Sequence, residues 1–228
     1  VVVVTGGRRG IGLAMAQLMA KEGARVWATS RQTASPRQVL APENGGIAEV
    51  YLDVTQEESV RALFERIDAS HGRIDVLVNN AGLGVFKPVE GMTLQEWENV
   101  INTNLTGVFL CSREAFKRMK AQGGGRIINI ASVAGYIPLA GNIAYGASKY
   151  GVRGLSEILN EEGKAHQVRV SVVSPGAAYT EIWHGREGFS PDDMLKPEDV
   201  AEAVLDIARR PLHVRIDEVK ILPPKGVL

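Results

Sequence analysis

Tyr145 and Lys149 stand four residues apart in AYGASKYG, the spacing that sets two side chains on one face of a helix. Ser132 closes the strand-like run GRIINIAS just upstream. The carboxyl end of such a strand adjoins the start of the next helix, so a serine hydroxyl can face a tyrosine hydroxyl across a small gap. Two hydroxyls and an ammonium gathered in this way can hold a polar substrate atom and exchange a proton with it. Alone, a Tyr–Lys pair at this spacing is ordinary packing or surface chemistry. The serine gives it weight.

A second cluster opens the chain, VVVVTGGRRGIG from Val1 to Gly12. Four β-branched residues suit a strand covered on both faces, and Ile11, Leu13, Ala14, Leu18 and Met19 then fall on one face of a helix ending near Gly23. Gly6, Gly10 and Gly12 lie between the two, where unpaired N–H groups and the positive end of a helix dipole favour an anion. A tight βα turn with no ligand would read the same. The spacing is Thr-Gly-x3-Gly-x-Gly rather than Gly-x-Gly-x-x-Gly, and it carries two arginines, Arg8 and Arg9.

The elements that must position these groups follow from periodicity. RVWATS, AEVYLDV, DVLVNNAG, GRIINIAS, VRVSVVSPG and EVKILPP read as strands, with helices near Glu57 to Ala69, Leu94 to Lys120, Ala144 to Glu161 and Pro197 to Ala208. That alternation predicts an α/β, single-domain Rossmann fold over residues 1–228, a doubly wound parallel sheet of about seven strands with helices on both faces. Residues 32–46 and 176–196 read as loops, and the second, which follows a strand's carboxyl end, is the expected substrate lid. Lysine plus arginine and aspartate plus glutamate both number 26 in 228 residues, so no global field favours nucleic acid or an anionic membrane. A single cysteine, Cys111, fits a reducing compartment and lies in an apolar helical stretch. The expectation is a cytoplasmic protein without metal that acts on a small molecule.

At this point the chain resembles the short-chain dehydrogenase/reductase family. Seven motifs carry the likeness in order: TGGRRGIG at Thr5–Gly12, LDV around Asp53, NNAG at Asn79–Gly82, Asn104 in NTNLTG, Ser132, YGASK at Tyr145–Lys149, and PG at Pro175–Gly176 with Thr180. The glycine spacing, unusual for other dinucleotide folds, is that family's own. The resemblance implies hydride transfer between a nicotinamide and a carbonyl or alcohol. Tyr145 would donate the proton in reduction, Ser132 would hold the carbonyl oxygen, and Lys149 would bind the nicotinamide ribose and lower the tyrosine pKa together with the oxidised ring's charge. Asn104 would hold a water that links Lys149 to solvent. A helix-interior asparagine bonded to backbone is the alternative. Gly6, Arg9, Gly10, Ile11, Gly12, Asp53, Val54, Asn80, Ala81, Gly82, Pro175, Gly176 and Thr180 would line the cofactor cleft, Asn79 with them. Asp53 would accept from the adenine amino group, unless it caps the following helix.

Cofactor choice turns on the end of VWATSRQ. Ser30 and Arg31 stand where NAD-preferring relatives show an acid, so Arg31, with Arg9 from the glycine turn, is expected to bind the 2′-phosphate of NADP(H); Arg8 would be a solvated neighbour. NAD(H) is the less favoured cofactor. The substrate pocket is expected from Val133, Tyr136, Ile137, Leu139 and Trp183, with Leu83, Val85, Ala177 and Phe189 nearby and Arg186 at the surface. The favoured reading is reduction or oxidation of a small ketone, aldehyde or hydroxy acid. A 3-oxoacyl-[acyl-carrier-protein] reductase is the first alternative, kept open by the basic face of Arg113, Lys117, Arg118 and Lys120; against it, the basic positions of those reductases, which fall near Gly123 and His166, are not matched, and the chain ends RIDEVKILPPKGVL rather than in a Val-Asp-Gly-Gly segment. A nucleotide-sensing protein without catalysis is the second. Relatives are commonly homodimers or homotetramers, so an oligomer through the helices near 94–120 and 144–161 is expected.

Overall fold

A computed structural model describes residues 1–32, 41–180 and 190–226. Seven strands form one sheet: β1 (Val2–Val4), β2 (Val26–Ser30), β3 (Ile47–Tyr51), β4 (Val76–Asn79), β5 (Gly125–Ile130), β6 (Val168–Pro175) and β7 (Glu218–Ile221). Their order is β3-β2-β1-β4-β5-β6-β7, and every pairing is parallel. The order reverses between β1 and β4, which opens a crevice at the carboxyl ends of those strands.

Alternation along the buried strands divides the core. Val2 and Val4 face α1 (Gly10–Lys21), in a cluster with Met15, Met19, Val78, Ile128 and Val173. Val200 and Val204 bring the last helix, α6 (Pro197–Arg209), into that cluster, and α6 packs on α1. Val3 faces the other way, among Trp27, Phe64, Leu77, Cys111, Met119 and Ile127, beneath α2 (Glu57–His71) and α4 (Gly107–Gln122). The helix α5 (Ile143–Gly163) covers β6 on that second side. Cys111 is fully buried, and burial pushes its thiol up to about 12, so it packs and does not react.

The expected helix from Leu94 to Lys120 is two helices. α3 (Leu94–Ile101) and α4 are joined by a π-turn over Asn102–Thr106, closed by the Gly107 N–H donating to the Asn102 carbonyl. Such turns recur at functional sites, and here one carries Asn104 into the interior. The strand and helix runs otherwise fall where the periodicity placed them, within a few residues at their ends.

The glycine turn is shaped by backbone geometry. Gly6 has φ +66°, a left-handed conformation, and a Cβ on Gly12 would stand 2.6 Å from Asn80 Nδ2 and overlap the Gly6 carbonyl oxygen. Asn80 Nδ2 donates to the Thr5 and Gly6 carbonyls, at 3.0 and 3.3 Å, while Thr5 Oγ1 accepts from the Asn80 and Ala81 amides, both at 2.9 Å. The ends of β1 and β4 are thus laced together under the turn.

Candidate active site

The crevice is a cleft of about 890 Å³. Each strand end supplies a segment of its wall. The glycine turn contributes Gly6, Arg9, Gly10, Ile11 and Gly12; β2 contributes Ser30 and Arg31; β3 contributes Asp53 and Val54; and β4 contributes Asn80, Ala81 and Gly82. Beyond β5 stand Ser132, Val133 and Leu139, with Tyr145 and Lys149 on α5, and beyond β6 stand Pro175, Gly176 and Thr180. One cleft therefore gathers residues that lie up to 174 positions apart in the chain, from Gly6 to Thr180.

Several expectations need correction. Tyr136 turns away from the cleft: its ring lies between the Arg153 guanidinium at 3.6 Å and the Lys220 ammonium at 3.7 Å, and its hydroxyl accepts from Ser174 Oγ at 3.3 Å. Ile137 and Val85 do not line the cleft either. Asn79 is buried, where its amide donates to Ser112 and Asn129 and so joins β4 to α4 and β5. Asp53 does not cap α2, whose N-cap is Gln56; its Oδ1 accepts from the amide and hydroxyl of Thr55 in a local turn, with the residue still at the cleft wall. Arg8 is exposed, as expected, but it has partners at the surface. It donates to the Gln32 carbonyl at 2.7 Å and pairs with Glu49 at 3.0 Å, bracing the turn against β3. Arg9 and Arg31 are exposed at the cleft wall. Trp183, Arg186 and Phe189 lie outside the described residues, as does the middle of the expected lid.

At the β5–α5 end the geometry is tight. Ser132, at the head of a short turn, stands beside Tyr145, close enough to pull on its phenol. Lys149, 6 % exposed, donates from Nζ to the Ile130 carbonyl at 2.8 Å, and its ammonium lies 5.5 Å from the centre of the Tyr145 ring. Burial pushes the Tyr145 phenol up, against the pull of the Ser132 hydroxyl, and pushes Lys149 down to about 8. The expected lowering of the tyrosine pKa is therefore not produced by the protein's own groups. The lysine donates one of its three hydrogens to a carbonyl, and burial penalises its charge.

Asn104 is fully buried behind the cleft, not at its wall. Its Nδ2 donates to the Leu83 carbonyl at 2.8 Å and to Ser148 Oγ at 3.1 Å, and its Oδ1 accepts from the Leu83 amide at 2.9 Å. Ser148 in turn donates to the Tyr145 carbonyl at 2.7 Å. With both amide hydrogens engaged, this side chain ties the loop after β4 to the turn of α5 that bears Tyr145.

Sequence reasoning missed Gly84, Phe86, Ala140 and Asn142, all of which line the cleft. Phe86 packs on Tyr145, with ring centroids 5.5 Å apart. The signal available was weak: an aromatic residue two positions past a glycine in the loop after NNAG.

The burial of Lys149 has a measurable consequence. A lysine held near 8 rather than near 10.5 costs about 3 kcal/mol when charged. Because the folded pKa is the lower one, the cost is present in full below pH 8, and it is relieved as pH rises toward 10.5. Lys149→Met should raise the protein's stability at pH 7 by about 1 to 3 kcal/mol, after the loss of the bond to Ile130. The gap should shrink between pH 8 and pH 10. Denaturant unfolding at the two ends of that window checks it; a variant less stable at pH 7, or a gap that widens with pH, would show the charge to be well solvated.

A parallel sheet that reverses at β1/β4, with a glycine turn feeding a helix N-terminus and a half-buried Tyr and Ser beside a buried Lys in the same crevice, defines a Rossmann-type oxidoreductase. A family-wide sequence profile described as short chain dehydrogenase (adh_short) matches residues 1–188. The chain belongs to the short-chain dehydrogenase/reductase family. It is 37% identical over 222 residues to D-threitol dehydrogenase of Mycolicibacterium smegmatis, covering 91% of this chain and 85% of the relative. Among solved structures, a metagenomic short-chain oxidoreductase in complex with NADP is 36% identical, with a TM-score of 0.80 over 97% of this chain and 96% of that one. The closed form of serine dehydrogenase complexed with NADP+ is 29% identical, with a TM-score of 0.88 over 100% and 96%. The protein is thus an oxidoreductase that moves a hydride between a nicotinamide cofactor and a carbonyl or alcohol.

Proposed function

We propose that this chain is an NADP(H)-dependent carbonyl reductase or alcohol dehydrogenase acting on a small ketone, aldehyde or hydroxy acid through Ser132, Tyr145 and Lys149. The observation that carries the reading is the convergence of these three on one wall of the cleft, opposite the glycine turn. The cradle fits a dinucleotide. Side chains are excluded at Gly12, the turn is laced shut by Asn80, and α1 begins there with its N–H groups open to an anion. Gly6, Gly10, Ile11 and Gly12 would hold the pyrophosphate side, Asp53, Val54, Asn80, Ala81 and Gly82 the adenosine side, and Pro175, Gly176 and Thr180 the nicotinamide side. Arg9, Ser30 and Arg31 would meet the 2′-phosphate; the NADP-bound relatives support that preference.

When bound, the cofactor supplies or accepts the hydride. Tyr145 gives its phenolic proton to the carbonyl oxygen in reduction and takes it back in oxidation, Ser132 donates a hydrogen bond to that oxygen, and Lys149 offers its ammonium to the ribose beside the phenol. Asn104 is a positioning residue, holding Leu83 and the Ser148–Tyr145 turn. Val133, Leu139, Leu83 and Ala177 would bound the substrate, with residues 176–196 as its lid.

A free small molecule is favoured over a carrier-bound acyl group because three of the four residues of the basic face, all but Lys120, are internally paired. Arg113 pairs with Glu57, Lys117 with Glu114, and Arg118 with both Asp68 and Glu114. Among the described residues no helix is long and apolar enough to cross a membrane, and no group of three or more metal-ligating side chains occurs. With its single buried thiol, the chain is assigned to the cytoplasm. Exposed Phe109 on α4 and Tyr150 and Ile158 on α5 suit a homodimer or homotetramer through those helices; a light-scattering mass of one chain would refute that. The assay that tests the whole reading is oxidation of NADPH against a panel of small ketones and aldehydes. Nucleotide binding without turnover of any of them would favour a sensor instead.

A further inference from the structure

We infer that Phe86 is the specificity-determining wall of the substrate site, a ring fixed beside Tyr145 that admits carbonyl compounds with a small substituent and turns away bulky ones. The inference rests on the catalytic reading above, since it takes the Tyr145 hydroxyl as the place where the carbonyl oxygen sits.

Two neighbours seat the ring, and the residue after it is anchored. The ring stacks at a tilt of 54° on Tyr145, 5.5 Å between centroids, so whatever lies against the phenol also meets Phe86. It occupies the space over Gly84 that a side chain would need: a Cβ there would overlap the ring, with Cε2 at 2.6 Å. The following residue is anchored twice. Lys87 donates its amide to the Gly141 carbonyl at 2.9 Å, and its ammonium pairs with Glu96 at 2.6 Å. Glu96 is itself fixed by the Thr93 amide and hydroxyl at 3.0 and 2.9 Å, which with Lys87 holds its carboxyl down at about 2. The loop that carries the ring is thus fastened to α3 on one side and to the segment before α5 on the other.

A ring so held cannot swing aside cheaply to make room, and a wall that does not yield discriminates by size. Gly84 belongs to the same device as the seat of the ring.

The test compares hydroxyacetone with 2-hydroxyacetophenone, which share the hydroxymethyl ketone and differ by methyl against phenyl. The wild-type protein should favour hydroxyacetone in kcat/KM with NADPH. Phe86→Ala should move the ratio toward the phenyl ketone by about tenfold or more, through a fall in KM for the larger substrate. Gly84→Ala, which keeps the ring and removes its seat, should change the same ratio by several-fold. Turnover by the wild type with a ratio unchanged in both variants would overturn the wall and leave the catalytic reading intact. No turnover of either ketone, or of any carbonyl in the wider panel, would overturn the catalytic reading and the wall with it.

Discussion

Replacing Tyr145 with phenylalanine is expected to lower kcat by about a thousandfold or more, the upper part of the range for losing a positioned proton donor. The change removes one oxygen and leaves the ring, so the contact with Phe86 and the packing of α5 persist. Ser132 loses a neighbouring hydroxyl but stays at the head of its own turn, where its Oγ accepts from the Ala134 amide at 3.2 Å. The cradle around Gly6, Gly12 and Asn80 is untouched, and NADPH affinity should remain within a few-fold. Steady-state kinetics paired with a fluorescence titration of NADPH separate the two effects. A variant that keeps most of its turnover would remove Tyr145 from the mechanism. One that loses binding in proportion would make it a structural residue.

The second large effect concerns the arginines. If Arg9 and Arg31 both meet the 2′-phosphate, charge-assisted hydrogen bonds of roughly 1.5 to 3 kcal/mol each should favour NADPH over NADH by about two orders of magnitude or more. Arg31→Ala should erase much of that preference with little effect on NADH. Ser30→Asp should go further, offering an acceptor to a ribose hydroxyl while repelling phosphate. Arg8→Ala supplies the contrast: its guanidinium is engaged by Glu49 and the Gln32 carbonyl, so its loss should weaken both cofactors alike by loosening the turn. The measurement is kcat/KM for each nucleotide at fixed carbonyl concentration. Equal efficiency of the unmutated protein with both would show the two arginines pointing to solvent.

Most of the framework could be read from the chain because parallel strands buried on both faces write themselves as apolar runs, and VVVV, VLVN and RIINI are hard to mistake. The cleft residues near fixed motifs were legible for the same reason, since a strand end fixes where its next residues go. What escaped depended on side-chain direction. Tyr136 and Ile137 sit close to Ser132 in sequence, yet the short turn after Ser132 rotates Tyr136 toward Arg153 and Lys220. Phe86 enters the cleft because a loop folds back over a glycine, and no periodicity announces that. The π-turn was equally hidden, for NTNLT at Asn102–Thr106 is poor in strong helix formers but nothing in it specifies the wider turn. The pKa expectation departs at one point for a related reason: Lys149 lies near Tyr145 as expected, but burial raises the phenol and penalises the ammonium in the protein alone.

The π-turn constrains the chain in length as well as identity. Each residue of an α-helix turns the chain by about 100°. The extra residue accommodated between Ile101 and Gly107 leaves Cys111, Ala115 and Met119 aimed at the sheet while Asn104 reaches Leu83. Deleting one residue there would close an unbroken helix and leave the downstream stripe facing the sheet, but it would remove the bulge that carries Asn104 to Leu83. Among homologous genes, a one-residue gap in this short segment should therefore leave the helix on either side in register and coincide with loss of the asparagine's tie to the loop after β4.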